Sequence, residues 1–258
     1  MKRFLAALFL VLAACSGGGD ERVIVAAGTT LVDSGLLDAA ARIFETQHPD
    51  IDLSVVGEAT AQVLELGRRG AADVMIVHAP ELEAEFVEDG LAARYELVLS
   101  STFVLVGPPG EAPFGAASDV LGALAASGSP FVSRADGSGT YEVERLLWAA
   151  AGIEPDGQPW YLETGQGMGL TLQVADQRKA YTLSELGTFL AASGSLSLEP
   201  VEVSDLPQNP YHLIVVATSP VRAAGELFLD WLLGPDGREA IRRVNLELFD
   251  RVVYEPAG

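Results

Sequence analysis

Strand-like and helix-like segments alternate along most of this chain, and that alternation limits its fold more than any other feature. Val23-Ile24-Val25-Ala26-Ala27 is a continuous apolar run of strand length, after which Leu37, Ala40, Ala41 and Phe44 recur at helical spacing. Ile51, Leu53 and Val55 alternate as a strand, a helix is expected over 62–69, and Val74-Met75-Ile76-Val77 is the next buried run. Phe103-Val104-Leu105-Val106 and Leu213-Ile214-Val215-Val216 are further strand-like runs. Helices are expected near 118–126, 138–151, 169–179, 223–233 and 236–245, the last beside Pro235, where a missing N–H costs nothing. This order predicts an α/β fold with a mainly parallel sheet covered on both faces. Two Pro-rich interruptions, Gly107–Pro113 and Pro207–Pro210, sit beside the runs that start at Phe103 and Leu213. They predict two crossings between lobes, with residues 22–104 and 211–258 in one and 105–210 in the other. Ligands of open α/β folds bind where helices begin at the carboxyl ends of strands, which places a site in the cleft between the lobes.

The first 14 residues read as an export signal: Lys2-Arg3, then an apolar run from Phe4 to Ala14 that is too short to span a bilayer. Leu12-Ala13-Ala14-Cys15 has the form of a bacterial lipobox, which makes Cys15 the lipidated first residue of the mature protein and 15–21 its linker. Cys15 is the single cysteine, so no disulfide forms within one chain. Removing Lys2 and Arg3 takes the formal net charge from -20 to -22. That balance argues against a nucleic-acid partner, because phosphate backbones need basic patches. It also repels small anions at long range, so an anion site has to be built from local donors within a screening length of about 8–10 Å.

Such a local site is legible at Ser133-Arg134-Ala135-Asp136-Gly137-Ser138-Gly139-Thr140, which ends the run Pro130-Phe131-Val132 and opens a helix. Val143, Leu146, Leu147, Ala150 and Ala151 give that helix an apolar stripe. The first turn of a helix carries N–H groups without internal partners and the positive end of the helix dipole. Ser138 and Thr140 add hydroxyls, Gly139 opens the backbone, and Arg134 supplies a guanidinium fork suited to two oxygens of one anion. A capped helix with Arg134 paired to a surface carboxylate explains the same residues equally well. Gly28-Thr29-Thr30 after the first strand offers further donors, with the helix start marked by Asp33-Ser34. Gly165-Gln166-Gly167-Met168-Gly169 brings backbone close to a ligand, with Gly169 as the candidate and Met168 secondary to it. Thr60, in Glu58-Ala59-Thr60-Ala61-Gln62, is another secondary donor.

Catalytic and metal readings are weaker. Asp136-Gly137-Ser138-Gly139 lacks the first glycine of a nucleophile elbow, and His48, His78 and His212 show no metal-ligand spacing. The Gly165–Gly169 segment is not a dinucleotide fingerprint. No cofactor is implied.

Taken together, the segments resemble the tungstate-binding proteins of bacterial ABC transporters. The resemblance rests on Asp33-Ser34-Gly35-Leu36-Leu37, Ala72-Asp73-Val74, Val77-His78-Ala79, Phe131-Val132-Ser133-Arg134 and Ser138-Gly139-Thr140. It continues through Leu147-Trp148, Trp160-Tyr161, Gly165 to Gly169 with Thr171-Leu172, Ala180-Tyr181-Thr182-Leu183, Gly187-Thr188 and Asn209-Pro210-Tyr211. It implies a two-lobed fold of the periplasmic-binding-protein type II class, holding a tetrahedral oxyanion between the lobes. The implied binding positions are Thr29, Thr30, Arg134 and the Ser138–Thr140 helix start. The chain departs from the family pattern at Leu31, where hydroxyls are lost, and at Glu58, which brings a carboxylate close to the expected cleft. The resulting expectation is a monomeric, non-enzymatic lipoprotein facing the periplasm or cell exterior. It captures tungstate, or molybdate, and delivers it to a permease and its ATPase, with phosphate rejected. A diverged anion binder, an envelope anion sensor and a Ser138-dependent hydrolase are the alternatives.

Overall fold

The computed structural model describes residues 21–258, so the leader, Cys15 and most of the linker lie outside the described residues. The chain opens with β1 (Glu21–Gly28), α1 (Thr29–Asp33), α2 (Leu36–Gln47), β2 (Ile51–Glu58), α3 (Thr60–Arg68), β3 (Val74–Val77) and α4 (Pro80–Glu88). The long strand β4 (Ala92–Gly107) then leads into α5 (Ala117–Ser127), β5 (Phe131–Ser133), α6 (Gly139–Ala150), β6 (Tyr161–Glu163), α7 (Met168–Arg178), β7 (Thr182–Glu185), α8 (Leu186–Ala192) and β8 (Glu199–Pro200). The chain returns through β9 (Gln208–Val216) and closes with α9 (Arg222–Leu233), α10 (Pro235–Phe249) and β10 (Glu255–Pro256).

The fully apolar strands are explained by sheets with helices on both faces. In β1, Val23, Val25 and Ala27 point into one core and Ala26 into another. Likewise Val74 and Ile76 of β3 join the first core, while Met75 and Val77 join the second. The period-2 geometry of a strand sorts alternate residues to opposite sides, so both faces must be apolar when both are covered. A second pair of cores repeats the arrangement around the other end of β4, with Phe103 and Leu105 on one face and Val106 on the other.

One expectation is corrected. The sheet is mixed rather than mainly parallel, in the order β10-β4-β9-β3-β1-β2. β1 pairs in parallel with β2 and β3, whereas β9 runs antiparallel to both β3 and β4. The cause is the out-and-back path: β4 leaves the first set of strands, and β9 comes back beside it in the opposite direction. β4 is long enough to belong to both sets. Residues 92–102 pair with β9, and residues 103–107 pair with β7 and β8.

Helix α6 also turns differently from its apolar stripe. Leu146 is 57% exposed and Ala150 is exposed, while Thr140, Glu144 and Trp148 form the fully buried face. Trp148 decides this orientation. Its indole packs edge-on to Phe131, with ring centres 5.1 Å apart, and against Trp160 and Tyr161. Trp148→Ala should therefore lower unfolding free energy by about 3–5 kcal/mol in urea titrations, whereas Leu146→Ala should change it by no more than about 0.5 kcal/mol. Equal losses for the two variants would refute this orientation of α6.

Candidate functional site

Arg134 follows β5 directly and is 1% exposed although it carries a permanent charge. A buried guanidinium needs compensation, and Asp136 supplies part of it. Asp136 Oδ2 accepts from Arg134 Nε at 3.1 Å and Nη2 at 2.6 Å, while Oδ1 accepts from the Ser138 backbone N–H at 3.2 Å. Holding the carboxylate under its own neighbour forces a tight loop, with Ala135 at φ 47° and Gly137 at φ 70°. A left-handed alanine is a strained state that persists only where the surroundings impose it. Asp136 thus braces the loop and turns both oxygens to the protein. The guanidinium fork expected to face an anion is partly spent on this brace, because a buried cation must first satisfy its own donors.

Arg134 reaches across to the opposite segment as well, donating from Nη2 to Thr29 Oγ1 at 2.9 Å. Among the described residues its third nitrogen, Nη1, has no hydrogen-bond partner, and neither do the buried hydroxyls of Thr60 and Thr140. These three atoms sit on the segments that the sequence marks as candidates, and the structure brings those segments together. The Ala61 N–H donates to Gly137 O at 3.3 Å, tying the start of α3 to the Arg134 loop. Gly139 opens α6 against the end of β3, where a side chain is excluded because its Cβ would lie 2.4 Å from His78 O.

The remaining candidates are used in more specific ways. α1 begins at Thr29 itself, not near Asp33, so both threonines stand in a first turn. The hydroxyl of Thr30 is fully buried and already engaged, 3.2 Å from Tyr211 OH and 3.4 Å from His78 Nε2. Ser138 is the N-cap of α6, its Oγ accepting from the Tyr141 N–H at 3.2 Å. Gly169 stands in the first turn of α7 and faces Asp33 of α1, whose Oδ2 would lie 3.6 Å from a Cβ there. Met168 buries its side chain in an apolar core, which limits it to a backbone role. Glu58 is exposed at the end of β2.

Three polar residues near the site escape sequence reasoning. His78, Asn209 and Tyr211 are buried together, with His78 Nδ1 2.9 Å from Asn209 Oδ1 and the His78 and Tyr211 rings stacked 4.8 Å apart. Burial lowers the His78 pKa to about 4, so the imidazole is neutral near pH 7. Only the motifs Val77-His78-Ala79 and Asn209-Pro210-Tyr211 flagged them, and nothing in either motif reveals that they meet. Glu144, behind the site, is the other surprise. It accepts from Tyr161 OH at 2.7 Å and Ser133 Oγ at 3.0 Å, joining α6 to the strands that carry Arg134.

A sequence profile described as a PBP superfamily domain matches residues 16–236, and the chain belongs to that periplasmic-binding-protein superfamily. It is 38% identical over 242 residues to a putative ABC transporter anion-binding protein of Haloferax volcanii, covering 87% of this chain and 69% of that one. It is 34% identical over 245 residues to the tungstate-binding protein TupA of Peptoclostridium acidaminophilum, covering 91% and 85%. The crystal structure of the tungstate ABC transporter from Geobacter sulfurreducens superposes with a TM-score of 0.76 at 36% identity, covering 86% of this chain and 98% of that one. The two-lobed α/β fold expected from the sequence is the fold of this superfamily.

Burial pushes the Glu144 carboxyl up to about 7, against the weaker pull of its bonds from Tyr161 and Ser133. A carboxyl raised in the folded state contributes stability that is complete below its ordinary value near 4.5 and is lost as pH rises through about 7. Glu144→Gln removes this titration. Its melting temperature should fall less than that of the wild type between pH 5 and pH 8, as calorimetric scans would show. Parallel pH profiles would contradict the raised carboxyl.

Proposed function

We propose that this chain is an extracytoplasmic solute-binding lipoprotein that captures tungstate between its lobes and delivers it to an ABC permease and its ATPase. The observation that carries the reading is that three buried groups on neighbouring segments, Arg134 Nη1, Thr60 Oγ1 and Thr140 Oγ1, have no hydrogen-bond partner among the described residues. An unsatisfied buried donor costs about 1–3 kcal/mol, more when charged, so three of them on touching segments favour a ligand made of acceptors. A tetrahedral oxyanion with two negative charges and no proton has that character. The start of α6 adds first-turn N–H groups beside the same hydroxyls.

The similarity to tungstate-binding relatives supports tungstate over other oxyanions, with molybdate the second choice because charge and shape are nearly the same. Thr29 and the backbone of Thr30, Gly139 and Gly169 complete the proposed shell, and Asp136 holds Arg134 in place. We place the lobes at 22–104 with 211–258 and at 105–210, close to the point where β4 changes partners. Cys15 is the proposed lipid anchor, on the outer side of a membrane, and the protein acts as a monomer. A hydrolytic reading has less support: Ser138 Oγ caps α6, and among the described residues no histidine or carboxylate hydrogen-bonds it.

Isothermal calorimetry of the soluble domain against tungstate, molybdate, sulfate and phosphate tests the reading. Tungstate should bind and phosphate should not. Arg134→Ala should weaken tungstate binding by about 2–5 kcal/mol, the usual cost of truncating one side of a buried charged contact. Arg134→Lys should also weaken it, since an ammonium cannot bond Asp136, Thr29 and the anion in the same plane. Wild-type affinity in Arg134→Ala would remove Arg134 from the site.

A further inference from the structure

α1 is five residues long and has no side-chain cap, so it cannot hold its own geometry: a first helical turn fixes more of the chain than its hydrogen bonds repay. It nevertheless carries Thr29, whose hydroxyl receives Arg134 Nη2 at 2.9 Å. Bonds from outside α1 have to fix it. One comes from Thr188 of α8, whose hydroxyl donates to Thr30 O at 2.9 Å. That oxygen already accepts from the Ser34 N–H at 3.1 Å, so Thr188 takes its second lone pair. On the lobe division proposed above, this bond and the Arg134–Thr29 bond both cross from one lobe to the other, and they meet on α1.

Thr188 is in turn held by Glu185, the fully buried N-cap of α8, whose Oε2 accepts from the Thr188 N–H at 3.0 Å. The Thr188 hydroxyl lies 3.3 Å from the same oxygen, the longer of its two contacts. Ser101 Oγ donates to Oε1 at 2.6 Å and Tyr254 OH donates to Oε2 at 2.7 Å. A buried carboxylate depends on such donors in place of water, so their positions are costly to change. Tyr254 belongs to the C-terminal segment 253–256, and its place is fixed on several sides. Asn245 of α10 accepts from the Val253 and Tyr254 N–H groups at 2.8 Å each and donates to Tyr254 O at 2.8 Å. Glu255 and Pro256 then pair with Ser100 and Leu99 on β4. Gly187 leaves room for the phenol, because a Cβ there would collide with the Tyr254 hydroxyl.

We propose that Glu185 is a positioning residue for the anion site, fixed from the C-terminal segment by Tyr254 and acting through Thr188 on α1, and hence on Thr29 and Arg134. The guanidinium is planar, so the bond from Nη2 to Thr29 also sets where Nη1 lies. A shift of α1 therefore moves the one guanidinium nitrogen that is left for a ligand. Tyr254 and Glu185 contribute to affinity in this way without touching the anion. The inference rests on the oxyanion-binding function proposed above and adds to that site two residues that lie outside it.

Tyr254 and Thr188 can each be changed without removing the carboxylate between them. Calorimetry against tungstate should show Tyr254→Phe and Thr188→Val each binding about fivefold more weakly, the scale of one lost buried hydrogen bond. Because both act along one path, the double variant should lose no more than the weaker of the two singles, whereas independent effects would multiply. Thr188→Ser keeps the hydroxyl and should bind as the wild type does. Tyr95→Phe is the control: it removes a 2.8 Å bond to Glu83 beside a different core, and should lower the melting temperature while leaving affinity unchanged. In the ligand-free protein the Arg134 Nε–H resonance, assigned by its absence from Arg134→Lys, should shift in Tyr254→Phe and Thr188→Val and stay in place in Tyr95→Phe. A wild type that binds no tungstate contradicts the proposed function, and the ligand-free resonances then decide the positioning role by themselves. An unmoved Arg134 resonance, wild-type affinity in folded Tyr254→Phe, or losses that multiply in the double variant overturns this inference alone.

Discussion

The buried guanidinium of Arg134 sets the terms for everything around it. A permanent cation that is 1% exposed has lost its hydration and must recover the energy from fixed partners. One carboxylate, Asp136, and one hydroxyl, Thr29, account for Nε and Nη2 and leave Nη1 unpaired among the described residues. The strained Ala135, the left-handed Gly137 and the Ser138 N-cap are the backbone's response to keeping Asp136 within reach. Thr29 belongs to the opposite side of the fold, so the same cation also holds the two sides together. Such a centre, neutralised once and still short of a partner, is suited to receive an anion.

The out-and-back strands tie that centre into the rest of the fold. β4 and β9 are the out-and-back connections, and the hydrogen-bonded residues Ser101, Asn209 and Tyr211 lie on them. Glu185, on β7 opposite Phe103, receives bonds from Ser101 on one strand and from Tyr254 near the C-terminus. Thr188, one turn into α8, donates its hydroxyl to Thr30 O at 2.9 Å. The proposed anion site is thus connected to both crossings through paired buried groups, which in a low-dielectric interior are rigid when satisfied and costly when broken.

Much of this was legible in the sequence, and the gaps have physical causes. Alternating elements were readable because strands such as β1 and β3 are covered on both faces and carry no polar positions to blur them. The Arg134 loop and the start of α6 were readable because a cap, two glycines and a cation lie within eight residues. The antiparallel return of β9 was not, since an apolar run such as Leu213–Val216 has the same composition in either direction. The buried face of α6 is hidden in the sequence because Glu144 reads as a solvent-facing residue until Ser133 and Tyr161 supply its partners. The buried cluster around Thr30 joins positions 30, 78, 209 and 211, and the local patterns of a single chain contain nothing that pairs them. Short α1 carries no side-chain cap, so its start at Thr29 left no signal either.

The central claim is that Arg134 Nη1, Thr60 Oγ1 and Thr140 Oγ1 find their missing acceptors on one bound oxyanion. A crystal structure of the protein grown with tungstate, with the metal located by anomalous scattering at the tungsten edge, tests it most directly. The account predicts one strong peak whose oxygens lie within hydrogen-bond distance of all three atoms, with Asp136 still turned to Arg134. A tungsten peak elsewhere, or a bound oxyanion that leaves those three donors unpaired, would contradict it.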